Sequence, residues 1–232
     1  MDYESWIHSK IHFFEGCRIL ELGCGAGDFW KNSAELTDSF SELILSDISA
    51  GMVDAAKGKY AHKKNINCQV VDILDIPYPE NSFDIIIANS MLYHVPELEY
   101  ALKEVHRALS PNGIFYATTF STSEGLLNYI NNALYEIGLS ANESVNDISF
   151  SLENGKEMLT KYFSSVNRKL YDDHLEVTKT SDIVEYILSM SSLYYQVDNS
   201  NSADMLAYFE KQKDSAGIIK IPKLYGIFIA SK

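Results

Sequence analysis

Three glycines at alternate positions follow an acidic residue near the start of this chain, in the segment Glu21-Leu22-Gly23-Cys24-Gly25-Ala26-Gly27. The apolar residues before it predict a buried strand, and the glycines predict a tight turn whose backbone N–H groups can approach a ligand closely. A dinucleotide-binding loop would place its third glycine at position 28, where this chain has Asp28, an anion in the place of a pyrophosphate. The spacing therefore favours a nucleoside ligand without phosphates. Cys24 is interpreted as a small packing residue, since nothing near it in sequence would lower its pKa.

Two further acids end later apolar runs. Asp47 lies twenty residues after Gly27, where a carboxylate can accept both ribose hydroxyls of a nucleoside. The alternative is that Asp47 caps the next helix, a role that Ser49 can also fill. Asp72 can accept a hydrogen bond from the exocyclic amine of adenine, and the apolar Ile73 after it can cover the adenine ring. On its own, Asp72 would be interpreted as an acidic residue of a loop. The pairing of the two acids, without lysine or arginine, disfavours a phosphorylated dinucleotide.

The loop after the fourth apolar run, Asn89-Ser90-Met91-Leu92-Tyr93-His94, contains a candidate for proton transfer. A histidine with a near-neutral pKa can act as a general base. His94 also precedes Val95-Pro96 at a predicted helix start, where a histidine is often only structural. Both interpretations of His94 stay open at this point.

The elements that must position these residues alternate regularly in the first half of the chain. Strands are predicted at Arg18–Leu22, Glu42–Ser46, Asn67–Val71, Phe83–Asn89 and Gly113–Thr119. Helices are predicted between them at Asp28–Asp38, Ala50–His62 and Glu97–Leu109, with a turn at Ser110-Pro111-Asn112-Gly113. This alternation is typical of a doubly wound βαβ series, whose ligands bind at the carboxyl ends of the strands.

The second half of the chain is less regular. Helices are predicted at Glu124–Ile137, Glu153–Phe163, Ser181–Tyr195 and Ala203–Lys213. Val166–Val177 is predicted as a strand pair or one long edge strand, and Lys223–Ala230 as an apolar strand. We expect this half to complete the sheet and to cover the ligand cleft with helices. Its many aromatic residues favour a flat or apolar small molecule in that cleft, although any one of them is better explained by packing.

Composition limits the possible partners. The chain has 232 residues and a net charge of −13, which disfavours binding to nucleic acid. Its three cysteines form no C-x-x-C pair and suggest free thiols in a reducing compartment. No apolar run approaches the ~18 residues of a transmembrane span, and the first residues lack the features of a signal peptide. We therefore expect a cytoplasmic protein without a membrane partner.

Taken in order, these segments resemble the motifs of class I S-adenosylmethionine (SAM)-dependent methyltransferases that act on small molecules, such as the ubiquinone/menaquinone and trans-aconitate types. The resemblance covers about residues 15–120. It rests on Glu21–Gly27, Asp47-x-Ser49 with Gly51-Met52, Asp72, Phe83-Asp84 with Asn89 to His94, and Leu109-x-Pro111-x-Gly113. Only 22 residues precede Gly23, fewer than the family usually carries, so part of the usual N-terminal lid is expected either to be missing or to be supplied by later helices.

The resemblance implies a fold and a cofactor site. The fold would be α/β, with a Rossmann-like, doubly wound, mainly parallel seven-stranded sheet, an antiparallel C-terminal edge strand and helical cap elements. One domain would span residues 1–232, with a lid segment at 1–14, a SAM-binding core at 15–120 and substrate-covering elements at 121–232. The methionine part of SAM would contact Glu21, Gly23 and Gly25, the ribose Asp47, the adenine Asp72 and Ile73, and the amine the backbone of Asn89. The full expected cofactor set adds Cys24, Gly27, Ile48, Met52 and Ser90.

The implied activity is methyl transfer from SAM to a small-molecule acceptor by in-line displacement, with S-adenosylhomocysteine as the product. His94 and Tyr93 are the catalytic candidates, and Tyr3, Trp6, Tyr93 and His94 the candidates for binding the acceptor. No metal is expected, because the pair His8 and His12 is better explained by a surface or lid role. The chain is expected to be a monomer or homodimer. The alternatives are a SAM-binding protein that acts through partners without catalysis, and a protein methyltransferase.

Overall fold

The structure is a computed structural model, and it describes residues 1–140, 148–191 and 195–232. The chain forms two compact units. The first comprises residues 1–119, 154–169 and 226–232, and the second residues 120–153 and 170–225. All the residues of the predicted cofactor site belong to the first unit.

The strands confirm the predicted fold class. They are β1 (Arg18–Leu22), β2 (Glu42–Asp47), β3 (Ile66–Val70), β4 (Phe83–Asn89), β5 (Leu109–Phe120), β6 (Ser165–Val177) and β7 (Ile219–Ser231). They form one seven-stranded sheet in the order β3-β2-β1-β4-β5-β7-β6, and the first five strands are parallel.

The C-terminal strand β7 runs antiparallel to β5. In the first unit the Lys232 N–H donates to Gly113, and in the second unit the Ser121 N–H donates to Leu224, so the two strands run in opposite directions. The strand order places β7 between β5 and β6 rather than at an edge, so that β3 and β6 are the two edges of the sheet.

The helices alternate with the strands as predicted. They are α1 (Tyr3–Lys10), α2 (Ala34–Asp38), α3 (Ala50–Tyr60), α4 (Leu98–Ala108), α5 (Leu126–Glu136), α6 (Gly155–Thr160), α7 (Thr180–Ser189) and α8 (Ser202–Lys211). The prediction of one helix over Asp28–Asp38 is wrong, because the structure has a 3-10 turn at Asp28–Trp30, a break, and then α2. The adjacent rings of Phe29 and Trp30 are both buried, and neighbouring residues of an α-helix point about 100° apart. The predicted helix Ser181–Tyr195 ends at Ser189, and residues 192–194 lie outside the described residues.

The turn predicted at Ser110–Gly113 is present as an interruption of β5. Leu109 pairs with Phe83 and Ile114 pairs with Ile85, so four residues of β5 face one residue of β4. The strand therefore begins at Leu109, four residues before the predicted start, although the chain bends where the sequence indicated.

Apolar side chains bury both faces of the central strands. Leu20 of β1 and Ile86 of β4 are register partners with no exposed surface, as expected for a parallel sheet covered by helices. In the second unit, the apolar faces of α5, α7 and α8 form a separate cluster that includes Ile130, Ile187 and Phe209. Within the described residues, none of the helices combines the length and apolar character needed to span a bilayer.

Shortening a side chain at the centre of the sheet should destabilise the fold. Ile86 is fully buried between Leu20 and Phe115, so Ile86→Ala leaves a cavity and should lower the free energy of unfolding by about 2–5 kcal/mol. Urea denaturation measures the change. Tyr100→Ala is the control, because Tyr100 is 53% exposed and its removal should change stability by about 0.5 kcal/mol or less. Equal effects of the two substitutions would contradict this account of the core.

Candidate functional site

A cleft at the carboxyl ends of the central strands brings together the residues that the sequence singled out. Its volume is about 450 Å³, within the usual range for small-molecule sites of about 300–1,000 Å³. It is lined by Leu22, Gly23, Asp47, Ile48, Val71, Asp72, Ile73, Leu74, Ser90, Met91, His94, Val95 and Pro96. We call it the strand-end cleft. Seven of the predicted site residues are in its wall: Gly23, Asp47, Ile48, Asp72, Ile73, Ser90 and His94.

The three glycines of the turn after β1 are needed for different reasons. Gly23, Gly25 and Gly27 all have positive φ angles, of 68°, 55° and 76°. A Cβ atom at Gly23 would lie 2.8 Å from the Met91 side chain, and one at Gly27 would lie 2.8 Å from the ring of Tyr60. A Cβ atom at Gly25 would meet no heavy atom within 4 Å. The fold itself excludes side chains at Gly23 and Gly27, whereas the space beside Gly25 is open to a ligand.

The Asp47 carboxylate connects two turns. Its Oδ2 accepts from the Gly25 N–H at 2.9 Å, and its Oδ1 accepts from the Ser49 N–H at 2.9 Å. Helix α3 is capped by Ser49, whose Oγ accepts from the Met52 N–H at 3.5 Å. Since Ser49 fills the capping role, the alternative interpretation of Asp47 as the helix cap is not needed. Each carboxylate oxygen has a second acceptor site that a ligand hydroxyl can use.

Asp72 accepts one internal hydrogen bond and, like Asp47, keeps further acceptor capacity. Its Oδ1 accepts from the Leu74 N–H at 2.9 Å, and its Oδ2 has no hydrogen-bond partner in the described parts of the chain. Ile73 is buried, while Ile48 on the opposite turn is 69% exposed. A large apolar side chain that stays exposed in a cleft wall suggests a surface used for binding.

Ser90 has a backbone conformation that is unusual for its type. Its φ angle is 53°, in the left-handed region, where a non-glycine residue costs about 1–3 kcal/mol. The Ser90 N–H donates to Thr118 Oγ1 at 2.9 Å, and the Thr118 hydroxyl donates to Asn89 Oδ1 at 2.6 Å. The fully buried Thr118 thus holds the strained loop after β4 in place. Sequence reasoning missed Thr118; its only signal was a polar residue within an apolar strand.

Glu21 is buried and does not line the cleft. Its Oε2 accepts from Trp30 Nε1–H at 2.6 Å, and only 1% of the residue is exposed. Burial raises the pKa of Glu21 and the nearby Asp47 charge adds to this; the Trp30 hydrogen bond opposes it, and the result is about 7. Glu21 therefore positions Trp30 behind the turn, although the sequence suggested a direct contact with the ligand.

The remaining predicted residues, apart from His94, lie outside the cleft wall. Burial, reinforced by the Glu21 and Asp47 charges, raises the pKa of the Cys24 thiol, so this thiol is not a nucleophile at neutral pH. His94 is exposed at the cleft, and its ring centroid lies 4.4 Å from that of Tyr93. Tyr3 borders a different cavity. The other predicted residues that are not part of the wall are Trp6, Gly25, Gly27, Met52 and Asn89.

The charges of the cleft limit its ligands. The lining carboxylates are Asp47 and Asp72, and none of the lining residues is lysine or arginine. Such a wall repels phosphate groups, which can carry two negative charges, and attracts cations. The cleft therefore suits a neutral or cationic nucleoside, as the glycine spacing predicted.

The raised pKa of Glu21 predicts a dependence of stability on pH. The pKa is about 7 in the folded chain against 4.5 for an ordinary glutamate, so the folded chain holds this proton more tightly. The contribution of the protonated Glu21 to the free energy of unfolding is fully present below pH 4.5 and is lost as the pH rises to 7. This loss is on the order of 3 kcal/mol. Glu21→Gln keeps an acceptor for Trp30 but cannot titrate. Relative to this variant, the wild type should lose stability across that interval in urea denaturation.

The exposed Glu15 provides the control for this experiment. Glu15→Gln should keep the pH dependence of the wild type. If Glu21→Gln and the wild type change in parallel between pH 4.5 and 7, the raised pKa of Glu21 is refuted.

Comparison with known proteins identifies the domain around this cleft. Residues 20–117 match the family model of a methyltransferase domain. The demethylmenaquinone methyltransferase of Staphylococcus epidermidis is 32% identical over 108 residues, which span 47% of this chain and 45% of that protein. The chain therefore aligns with less than half the length of this curated relative.

Two solved structures share the fold at low sequence identity. The YcgJ protein of Bacillus subtilis has a TM-score of 0.66 and 18% identity over 98% of this chain and 96% of that one. Phosphoethanolamine N-methyltransferase 2 of Haemonchus contortus, solved in complex with SAM, has a TM-score of 0.61 and 19% identity over 99% of this chain and 52% of that one. The match of residues 20–117 to the family model of a methyltransferase domain confirms the predicted resemblance to the class I SAM-dependent methyltransferases.

Proposed function

We propose that this chain is a methyltransferase that binds SAM in the strand-end cleft and transfers its methyl group to a small-molecule acceptor by in-line displacement. The observation that carries the proposal is the Asp47 carboxylate, which is held by two backbone N–H groups beside the open face of Gly25. The match of residues 20–117 to a methyltransferase domain supports it.

The residues of the cleft fit SAM. Asp47 would accept the ribose hydroxyls, and Asp72 would accept the exocyclic amine of adenine, with Ile48 and Ile73 available to the ring. The open side of Gly25 would admit the methionine part, and the backbone after β4 would accept its amine. Two carboxylates without a neighbouring basic residue complement a sulfonium cation and would repel a pyrophosphate.

SAM supplies a methyl group that is already activated, so the protein contributes mainly alignment and exclusion of water. The Thr118 hydroxyl fixes the loop that carries Ser90 and Met91 and thus the wall of the cleft. His94, exposed at this wall, would take a proton only from an acceptor that arrives protonated, and Tyr93 beside it would line the path of the acceptor. We propose that positioning of the acceptor accounts for most of the rate acceleration, and that proton transfer to His94 contributes less.

A small acceptor is supported by the name of the Staphylococcus relative, a demethylmenaquinone methyltransferase. We further propose that the protein works in the cytoplasm as a monomer or homodimer, without nucleic acid. A SAM-binding protein without catalysis would share every residue that contacts the cofactor. Only turnover separates that alternative, or a protein methyltransferase, from the proposal.

Calorimetric titration with SAM, S-adenosylhomocysteine and, for comparison, NAD tests the cofactor. We expect micromolar binding of the two sulfur nucleosides and none of NAD. Asp47→Ala should weaken binding at least tenfold, because charge-assisted hydrogen bonds contribute about 1.5–3 kcal/mol. Asp28→Asn is the matched control, since Asp28 directly follows the glycine turn that Asp47 contacts, but pairs with Lys59 at 2.6 Å outside the cleft. A preference for NAD would refute the proposal.

Turnover is then measured by transfer of a radiolabelled methyl group from SAM to a panel of flat small molecules that includes demethylmenaquinone. Label in a small molecule supports the proposal, and label only in added protein supports the alternative acceptor class. Tight SAM binding without turnover on the panel would favour the non-catalytic alternative.

The open face of Gly25 gives a second prediction. Gly25→Ala should weaken SAM binding, because the added methyl group enters the open space beside the glycine turn where we propose that the ligand binds, while destabilising the fold by only about 1–2 kcal/mol of backbone strain. Gly16→Ala is the matched control: Gly16 has a φ of 78° and equally open surroundings, but lies outside the glycine turn. The two variants should melt alike and differ in SAM affinity. If both bind SAM as the wild type does, the ligand does not use this face.

A further inference from the structure

The edge strand β6 (Ser165–Val177) is long and lacks the usual protection of a sheet edge. It has 13 residues, against five in β3 at the other edge, and strands of globular proteins usually have about 3–10. β6 is last in the strand order, and in the described parts of the chain no strand pairs with its outer side. Proteins often protect such an edge by keeping it short or by placing proline in it, and β6 contains neither proline nor glycine. The outer side of β6 therefore has the backbone geometry that a further strand needs.

The middle of β6 is exposed on both faces. Successive side chains of a strand point to opposite faces, and residues 167–170 are all exposed. Leu170, the last of these residues, is 48% exposed. From residue 171 onward the exposure alternates, so only one face of the later half packs against the rest of the protein. A strand that pairs with the middle of β6 would bury side chains that water now surrounds, Leu170 among them.

The charges in the middle of β6 follow a self-complementary order. The sequence there is Arg168-Lys169-Leu170-Tyr171-Asp172-Asp173, which is two cations, two residues with large apolar surfaces and two anions. Because side chains alternate between the faces, Arg168, Leu170 and Asp172 share one face and the other three residues share the opposite face. Each face therefore presents a cation, an apolar group and an anion in that order. Reversing the direction of the strand exchanges the positions of the two charges on each face.

Antiparallel pairing with a second copy brings these charges together. A two-fold axis perpendicular to the sheet and passing through Leu170 sets this residue opposite its own copy and keeps each side chain on its face. Arg168 of each copy then lies opposite Asp172 of the other, which gives two ion pairs in the dimer. Lys169 lies diagonal to Asp173, and diagonal neighbours are about 7–8 Å apart, within reach of a long side chain.

The charges also favour a second copy over other partners. The net charge of −13 repels a further copy of the chain at long range, so association requires local charges that match. Within the described residues, Lys169 and Asp172 have no ion-pair partner, whereas Glu176 further along the strand pairs with His174 and Lys220. A second copy offers an opposite charge to each of the four charged residues between 168 and 173.

We propose that β6 forms the interface of a homodimer, in which two copies pair antiparallel about Leu170 and the two seven-stranded sheets join into one. The inference goes beyond methyl transfer and does not depend on SAM binding. It assigns the charged residues of β6 a role in recognition between copies.

Sedimentation velocity of the full chain, without any nucleoside, tests the inference. At physiological ionic strength the Debye length of about 8 Å screens the long-range repulsion more than it weakens the facing ion pairs. One strand pair buries less than a standard interface of about 1,200–2,000 Å², so we expect a dimer with a micromolar Kd. Arg168→Glu or Asp172→Lys alone would set two pairs of like charges opposite each other, and each should weaken the dimer at least about tenfold.

Combining the two substitutions distinguishes recognition from a loss of folding. Arg168→Glu together with Asp172→Lys restores opposite charges across the interface with their signs exchanged, and should recover the dimer. A variant that fails to fold would not recover in this way. Lys64→Glu is the control, because it changes the net charge as Arg168→Glu does, at an exposed residue that precedes the other edge strand, and should leave the dimer unchanged.

Hydrogen exchange at increasing protein concentration locates the interface. The amides of residues 165–177 should exchange more slowly as the dimer forms, and those of residues 66–70 should not. A chain that stays monomeric up to millimolar concentration would overturn the inference. A dimer that is insensitive to both charge reversals, or is not restored by their combination, would also overturn it. None of these results involves SAM, so failure of this inference leaves the proposed function untouched.

Discussion

The structure around the cleft depends on the close approach of three turns, and the Asp47 carboxylate is the group that holds two of them. It receives one backbone N–H from the turn after β1 and one from the turn after β2. The third turn, after β4, packs the Met91 side chain against Gly23, where no Cβ could fit. Each contact requires the register in which Leu22 pairs with Ser46 and with Ala88, so the sheet and the cleft are specified together.

The residues that lie close in sequence were predictable, and those that meet across the chain were not. Apolar runs ending in an acid gave the bounds of β1 and the place of Asp47, because a parallel sheet aligns its carboxyl ends. The role of Thr118 could not be predicted from the sequence, because its hydrogen bond with Ser90 joins residues that are 28 positions apart. Glu21 was assigned to the ligand because its type and position fit, but the partner that buries it, Trp30, belongs to a segment predicted as a regular helix.

Side-chain contacts, in addition to the backbone hydrogen bonds of the 3-10 turn, hold the segment after the glycine turn. Trp30 is anchored by the Glu21 carboxyl, and Phe29 supports the His8 ring, so two adjacent aromatic residues link the turn to the sheet and to α1. Phe13 and Phe40 pack edge-on or tilted near Trp30 and complete this aromatic cluster. Glu21 and His8, two polar side chains in contact with this segment, are each kept in place by an aromatic neighbour.

The position of β7 within the sheet has a consequence for how the chain reaches its native state. During synthesis, β6 emerges about fifty residues before β7, yet β7 is the strand that separates it from β5. Until β7 is made, β6 has no sheet neighbour and β5 has a free edge. The first five strands must therefore stay paired without the two strands that follow. Pairing of residues more than a hundred positions apart closes a long loop, and contacts of such high sequence separation generally slow folding. An open β5 edge is also a template for pairing with another chain, so any state in which only the first five strands have formed would be exposed to aggregation.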